Sequence, residues 1–301
     1  MISLEELKEF LRKKIEKPET RILLQIPGGL KTEATKIVEE IQKLGHEVIL
    51  SAEPCFGACD IRDREAKQFG CDFIIHLGHN KFYKPFKVKV PVIYFPIRLN
   101  VSYNKNELKK IPYKKIGIVS VVQHLDILKN ISEELRKINK KPVIGGQILG
   151  CWHENAKKIE NKVDCFLFIG SGEFHPLGIK TEKSVYCFDL EKNEIRIVNK
   201  MKRLKILHAN LAKLDDAKTV GILVSTKKGQ FLGFDTIKKL KNKLEKMGKK
   251  VYILTMDNIT NEKLLGLKID FFIDTACPRL VEDNFDKPII NAEDLFDNTT
   301  N

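Results

Sequence analysis

Long apolar runs are missing from this 301-residue chain: nothing in it approaches the roughly 18 or more consecutive apolar residues of a membrane span. The leading MISLEELKEFLRKKIEK is charged and amphipathic and lacks the apolar core of a secretory signal, so a soluble, cytoplasmic protein without a membrane partner is expected. Regular cysteine spacing is missing too. The seven cysteines are odd in number and scattered, which argues against a disulfide framework and leaves thiols that stay reduced or bind metal. No doubled C-x-x-C pattern offers a four-ligand zinc site. Acidic residues are in deficit, 40 against 53 Lys and Arg, for a net charge of +13. Such an excess speeds encounter with an acidic protein, RNA or an anionic small molecule. Most of the lysine nevertheless falls in mixed runs such as LKKLKNKLEKMGKK, where Lys and Glu share solvated helix faces, and a nucleic-acid partner is disfavoured.

What the chain does have is a repeat. Three β-rich runs, RILLQIP at 21–27, KKIGIVSVV at 114–122 and KTVGILVST at 218–226, are each followed by a helical pattern and a second strand at 46–50, 141–145 or 249–254. Third strands align as Asp72-Phe73-Ile74-Ile75-His76, Asp164-Cys165-Phe166-Leu167-Phe168 and Asp270-Phe271-Phe272-Ile273-Asp274, and VPVIYF, SVYCFDL and KPIINA close the units as fourth strands. Near-continuous apolar strands alternating with helices mark parallel sheets covered on both faces. The expected fold is α/β: three homologous βαβ-type domains with parallel sheets in a pseudo-threefold arrangement, at 1–108, 109–205 and 206–301. The boundaries near Leu108 and Lys205 fall in Lys-rich stretches.

Ligands of such sheets sit beyond the carboxyl ends of the strands, and that rule ranks the cysteines. Cys59 and Cys151 follow the second strands of the first two units, and Cys277 follows the third strand of the last. Cys71, Cys165 and Cys187 align with apolar core positions instead, where free cysteine serves as a small hydrophobe. Cys55 lies one helical turn before Cys59 and could form a local pair with it. Arg62 stands where the local triplet of a typical S-adenosylmethionine radical enzyme would have its third cysteine. Three thiolates on a four-iron cubane leave one iron open for substrate. On spacing alone, three unrelated loop cysteines remain an alternative.

Gly57-Ala58-Cys59-Asp60, Cys71-Asp72, His76-Leu77-Gly78-His79, Gly150-Cys151, the Gly170–Gly178 segment, Lys227-Lys228-Gly229-Gln230 and Ala276-Cys277-Pro278-Arg279 together resemble the archaeal diphthamide-biosynthesis enzymes, the 2-(3-amino-3-carboxypropyl)histidine synthases. The resemblance implies a homodimer of triplicated domains with one [4Fe-4S] ligand each, mapping onto Cys59, Cys151 and Cys277 and leaving Cys55 outside the pattern. It further implies a transferase of the non-classical radical type. By the same resemblance an electron donor would reduce the cluster, S-adenosylmethionine would be cleaved to methylthioadenosine, and its 3-amino-3-carboxypropyl group would pass to a histidine of translation elongation factor 2. No catalytic residue beyond the cluster is implied.

Gly170, Ser171 and Gly172 offer backbone amides suited to the cosubstrate, although a plain turn would use the same residues, and Gln230, in the corresponding loop of the third unit, could reach the same ligand. Pro27-Gly28-Gly29-Leu30 is the counterpart in the first unit. His79 and His175 read either as site residues or as ordinary loop histidines, and His76 reads as structural. Two rival functions explain parts of the pattern. Quinolinate synthase also draws one cysteine from each of three α/β domains, and a non-enzymatic basic RNA- or protein-binding module would leave the cysteines incidental.

Overall fold

The computed structural model describes residues 3–283 and 285–297. The chain forms two compact units, one of residues 1–101 with 122–127 and one of residues 102–121 with 128–301. The first holds strands β1 (Arg21–Gln25), β2 (Glu47–Leu50), β3 (Phe73–Leu77) and β4 (Val92–Phe95), all parallel in the order β2-β1-β3-β4. Helices α1 (Leu4–Lys14), α2 (Ala34–Gln42) and α3 (Asp63–Gln68) accompany them. Ser3 caps α1 by accepting the Glu6 N–H, Glu5 and Glu6 occupy its first turn, and Arg12, Lys13 and Lys14 its last, a charge order that suits the helix dipole. Its buried Leu7 and Leu11 join Ile37 and Ile41 of α2 over Ile22 and Leu24 of β1.

The second unit contains two sheets. In the first, β5 (Lys115–Ser120), β6 (Lys141–Gln147), β7 (Cys165–Ile169), β8 (Ser184–Asp189) and β9 (Glu194–Ile197) lie in the order β6-β5-β7-β8-β9, with helices α4 (Leu128–Lys137), α5 (Glu154–Lys157) and α6 (Phe174–Leu177). After α7 (Lys200–Asp216) comes a parallel sheet of β10 (Thr219–Ser225), β11 (Lys250–Met256), β12 (Phe271–Asp274) and β13 (Ile289–Asn291) in the order β11-β10-β12-β13, with α8 (Phe234–Lys246), α9 (Asn261–Leu264) and α10 (Ala292–Asp297). The three sheets thus share one topology. The departure is β9, a fifth strand paired antiparallel to β8 and absent from the four-strand expectation. Its turn is set by Asp189, whose Oδ1 accepts the Glu191 and Lys192 N–H groups, and by Asn193 at φ +56°. Leu108 is buried in a single 3₁₀ segment, and Lys205 lies inside α7.

The repeat extends to individual bonds. Asp72, Asp164 and Asp270 each precede a third strand, and each carboxylate accepts the N–H of the residue opening the first strand: Arg21 at 2.8 Å, Lys115 at 2.9 Å and Thr219 at 2.8 Å. One residue pair across the sheet changes size in compensation. Leu23 faces Ile74 in the first sheet, whereas Gly117 faces Phe166 and Gly221 faces Phe272 in the others. A Cβ on Gly117 or Gly221 would lie 2.9 or 2.8 Å from the phenylalanine ring, so the large residue on one strand requires the small one on its neighbour. Left-handed residues end the helices before the second strands. Gly45 at φ +87° and Gly248 at φ +77° serve there, and Asn139 at φ +59° does the same in the middle sheet.

Candidate functional site

Cys59, Cys151 and Cys277 all lie in loops at the carboxyl ends of parallel strands, after β2, β6 and β12 respectively. They are also the three cysteines that retain partial exposure; Cys55, Cys71, Cys165 and Cys187 are buried. Burial pushes the Cys165 thiol up to about 12 and the Cys187 thiol up to about 11, which keeps both protonated and unreactive. Iron–sulfur ligation needs reachable thiols, and the three partly exposed cysteines meet that demand.

A polar side chain fixes each of the three loops. In the first unit, Gln25 at the end of β1 donates from Nε2 to the Asp60 carbonyl at 2.5 Å and accepts the Arg62 N–H at Oε1, pinning the chain on the carboxyl side of Cys59. In the third sheet, Asp274 Oδ1 accepts the N–H groups of Ala276 and Cys277, while Asn291 Nδ2 holds Oδ2 at 3.0 Å. Burial drives the Asp274 carboxyl up to about 7 against the opposing pull of these donors. Cys277 then caps the 3₁₀ turn Pro278–Glu282.

The Cys151 loop is the tightest. Leu149 and Trp152 bond to each other through both backbone groups, which leaves Gly150 and Cys151 as a two-residue turn with the thiol near its tip. The Gly150 N–H donates to His175 Nδ1 at 3.1 Å. A Cβ on Gly150 would come within 2.5 Å of the Phe174 ring, and a Cβ on Gly178 would lie 2.8 Å from Gly150 Cα and overlap its carbonyl. The Phe174–Gly178 segment is therefore the seat of the Cys151 turn. Leading into it, a β-bulge between Ile118 and Val119 skips Gly145 and re-aims the end of β6.

His175 must be neutral to accept that bond. Burial, then the Arg279 charge, lowers it from 6.5 to about 4. Because its folded value lies below its unfolded one, the group contributes full stability above pH 6.5 and loses it as the pH falls toward 4. The loss is at most about 3 kcal/mol. Denaturant unfolding across that window is expected to show His175→Gln, which keeps an acceptor but cannot titrate, losing less stability than the parent.

The proposed cosubstrate residues are placed as follows. Gly170 spends its N–H on the Phe188 carbonyl, and its own carbonyl accepts from Cys187 Sγ, so the amides of Ser171 and Gly172 carry what the loop offers a ligand. Ser171 Oγ donates to Asp189 Oδ1 at 3.3 Å. Gly172, at φ +79°, has open space where a Cβ would stand, and Arg196 holds its carbonyl. Gln230 lies after β10 in a turn that closes on the Lys227 carbonyl. In the first unit, Gly28 and Gly29 open a 3₁₀ turn. Within that same unit, Cys55, His76 and His79 bring their donor atoms within 4.8 Å of one another. Sequence reading placed His76 in the structural class and gave no sign of this cluster.

A triplicated α/β protein with one partly exposed thiol at a strand end in each sheet is the class these features define. The chain matches the family described as "Putative diphthamide synthesis protein" over residues 26–296, and it belongs to that family. It is 34% identical over 295 residues to the 2-(3-amino-3-carboxypropyl)histidine synthase of Pyrococcus horikoshii, covering 91% of this chain and 84% of the relative. It is 32% identical to the synthase of the same name from Methanocaldococcus jannaschii, covering 93% and 85%. The crystal structure of Dph2 from Pyrococcus horikoshii with a 4Fe-4S cluster superposes with a TM-score of 0.86 at 33% identity, covering 98% of this chain and 89% of that one. Among the described residues no helix is long and apolar enough to cross a membrane.

Proposed function

We propose that this chain catalyses the first step of diphthamide biosynthesis, transferring the 3-amino-3-carboxypropyl group of S-adenosylmethionine to a histidine of translation elongation factor 2. Cys59, Cys151 and Cys277 are the residues that would hold a [4Fe-4S] cluster, and three thiolate ligands leave one iron for the cosubstrate. When bound, the cluster supplies the electron, drawn from a separate donor, that breaks the bond between sulfur and the γ-carbon of the methionyl end. The carrying observation is the coincidence of two independent facts. The cysteines singled out at strand ends are the ones that escape burial, and a relative with this fold is described with a 4Fe-4S cluster.

The chain's own residues then position rather than react. Gln25, Asp274 and the His175–Gly150 bond hold the three thiol-bearing loops, and the Ser171 and Gly172 amides with Gln230 offer donors to the carboxylate or nucleotide of S-adenosylmethionine. The same reading takes in three domains at 1–108, 109–205 and 206–301, a homodimer and a cytoplasmic location. Incubating iron-loaded protein anaerobically with dithionite and S-adenosylmethionine is expected to release methylthioadenosine. Predominant 5′-deoxyadenosine would mean that the other carbon–sulfur bond breaks, and pyridine dicarboxylate formation from quinolinate precursors would point to a different enzyme.

A further inference from the structure

His76 stands on β3 beside Gln25 of β1, fully buried. The Gln25 amide has a fixed orientation, because Nε2 donates to the Asp60 carbonyl; Oε1 therefore faces His76 Nδ1, at 3.3 Å, and takes its proton. The tautomer follows: His76 presents an unprotonated Nε2, and this atom lies 3.0 Å from His79 Nδ1. Cys55 completes the group, with its sulfur inside the same 4.8 Å. Two imidazoles and a thiol converging in this way, with an amide oxygen behind one ring, make the donor set and outer support of a transition-metal site.

We propose that Cys55, His76 and His79 bind a divalent transition ion of borderline softness, zinc above all, with no ligand drawn from the three proposed cluster cysteines. Two nitrogens and a sulfur are ligands zinc takes readily, whereas calcium and magnesium want oxygen. The dimensions suit one ion. Nitrogens about 2.0 Å from a tetrahedral zinc stand about 3.3 Å apart, a small opening of the present 3.0 Å contact. Binding exchanges the Cys55 thiol proton for the metal while the His79 proton moves from Nδ1 to Nε2, so one proton leaves per ion captured. The three ligands leave a tetrahedral position for water or a small ligand. Cys55 is the discriminating member, since the two histidines by themselves form an ordinary hydrogen-bonded pair. The inference stands independently of the proposed reaction.

Cobalt(II) reports on such a site through its thiolate charge-transfer absorption. The full-length chain carrying Cys59→Ser, Cys151→Ser and Cys277→Ser is expected to take up one equivalent of cobalt with that absorption, and added zinc should displace it. Further replacement of Cys55 by serine should abolish the band, and His79→Gln should weaken cobalt binding at least about tenfold. No uptake, or a thiolate band that survives loss of Cys55, would overturn the assignment. Should the triple variant not fold, iron-free parent protein gives the same comparison: Cys55→Ser alone should bind one equivalent of cobalt fewer, and an unchanged stoichiometry would refute the site.

Discussion

Alanine at Cys59, Cys151 or Cys277 is expected to strip most of the bound iron and to lower S-adenosylmethionine cleavage more than about 100-fold, because even the outer partners of metal ligands are worth 10–100-fold. One missing thiolate should suffice, since the proposed cluster would have three protein ligands and no spare to recruit. The buried thiols supply the contrast. Cys165 and Cys187 are fully buried in β7 and β8, so alanine there costs about 1–2 kcal/mol of packing, together with the Sγ bond to the Gly170 carbonyl in the case of Cys187. Iron and sulfide content after anaerobic reconstitution, read beside thermal stability, separates the two groups. Full iron content in any of the first three variants would defeat the ligand assignment.

Gly178→Ala should have the next largest effect, though the residue bears no chemistry. Its backbone conformation, φ −69° and ψ −14°, is open to any residue, so the obstacle is purely steric. The new methyl group would overlap the Gly150 backbone, which cannot rotate away as a side chain could. We expect destabilisation of about 1–3 kcal/mol, with the Cys151 turn displaced and iron retention reduced. Gly28→Ala, whose Cβ meets nothing within 4 Å, is the matched control and should be close to neutral. Equal behaviour of the two variants would show that the Gly150–Gly178 contact does not govern the turn.

The architecture was legible because its determinants are local and repeated. Apolar strands recur at matching spacings, glycines end two of the helices, and an aspartate opens each third strand. β9 escaped because its four residues, Glu194–Ile197, sit among charges and read as a connection, although Asp189 and Asn193 did carry a turn signal. The cysteine loops could be placed by strand order alone. What holds them could not. Gln25 and Asp274 are polar interruptions in apolar strands, visible in the sequence, but their partners are backbone groups that pattern reading does not locate. Likewise, Cys55 lies 21 residues from His76, and only the pairing of β1 with β3, together with the fold of the Cys59 loop, sets the thiol beside the imidazoles.

The shared register of the three sheets gives one backbone address three occupants. Counting from the first-strand partners, His76, Phe168 and Asp274 fill the same rung, and three residues on stand His79, Ser171 and Cys277. The scaffold below that address is held in each copy by its own aspartate clamp, while the tip above it carries an imidazole, a hydroxyl or a thiol. Folding and reactivity are thereby assigned to different residues. A chain organised in this way can exchange the chemistry at one tip while the sheets beneath all three remain formed, so its reactive repertoire is open to change one third at a time.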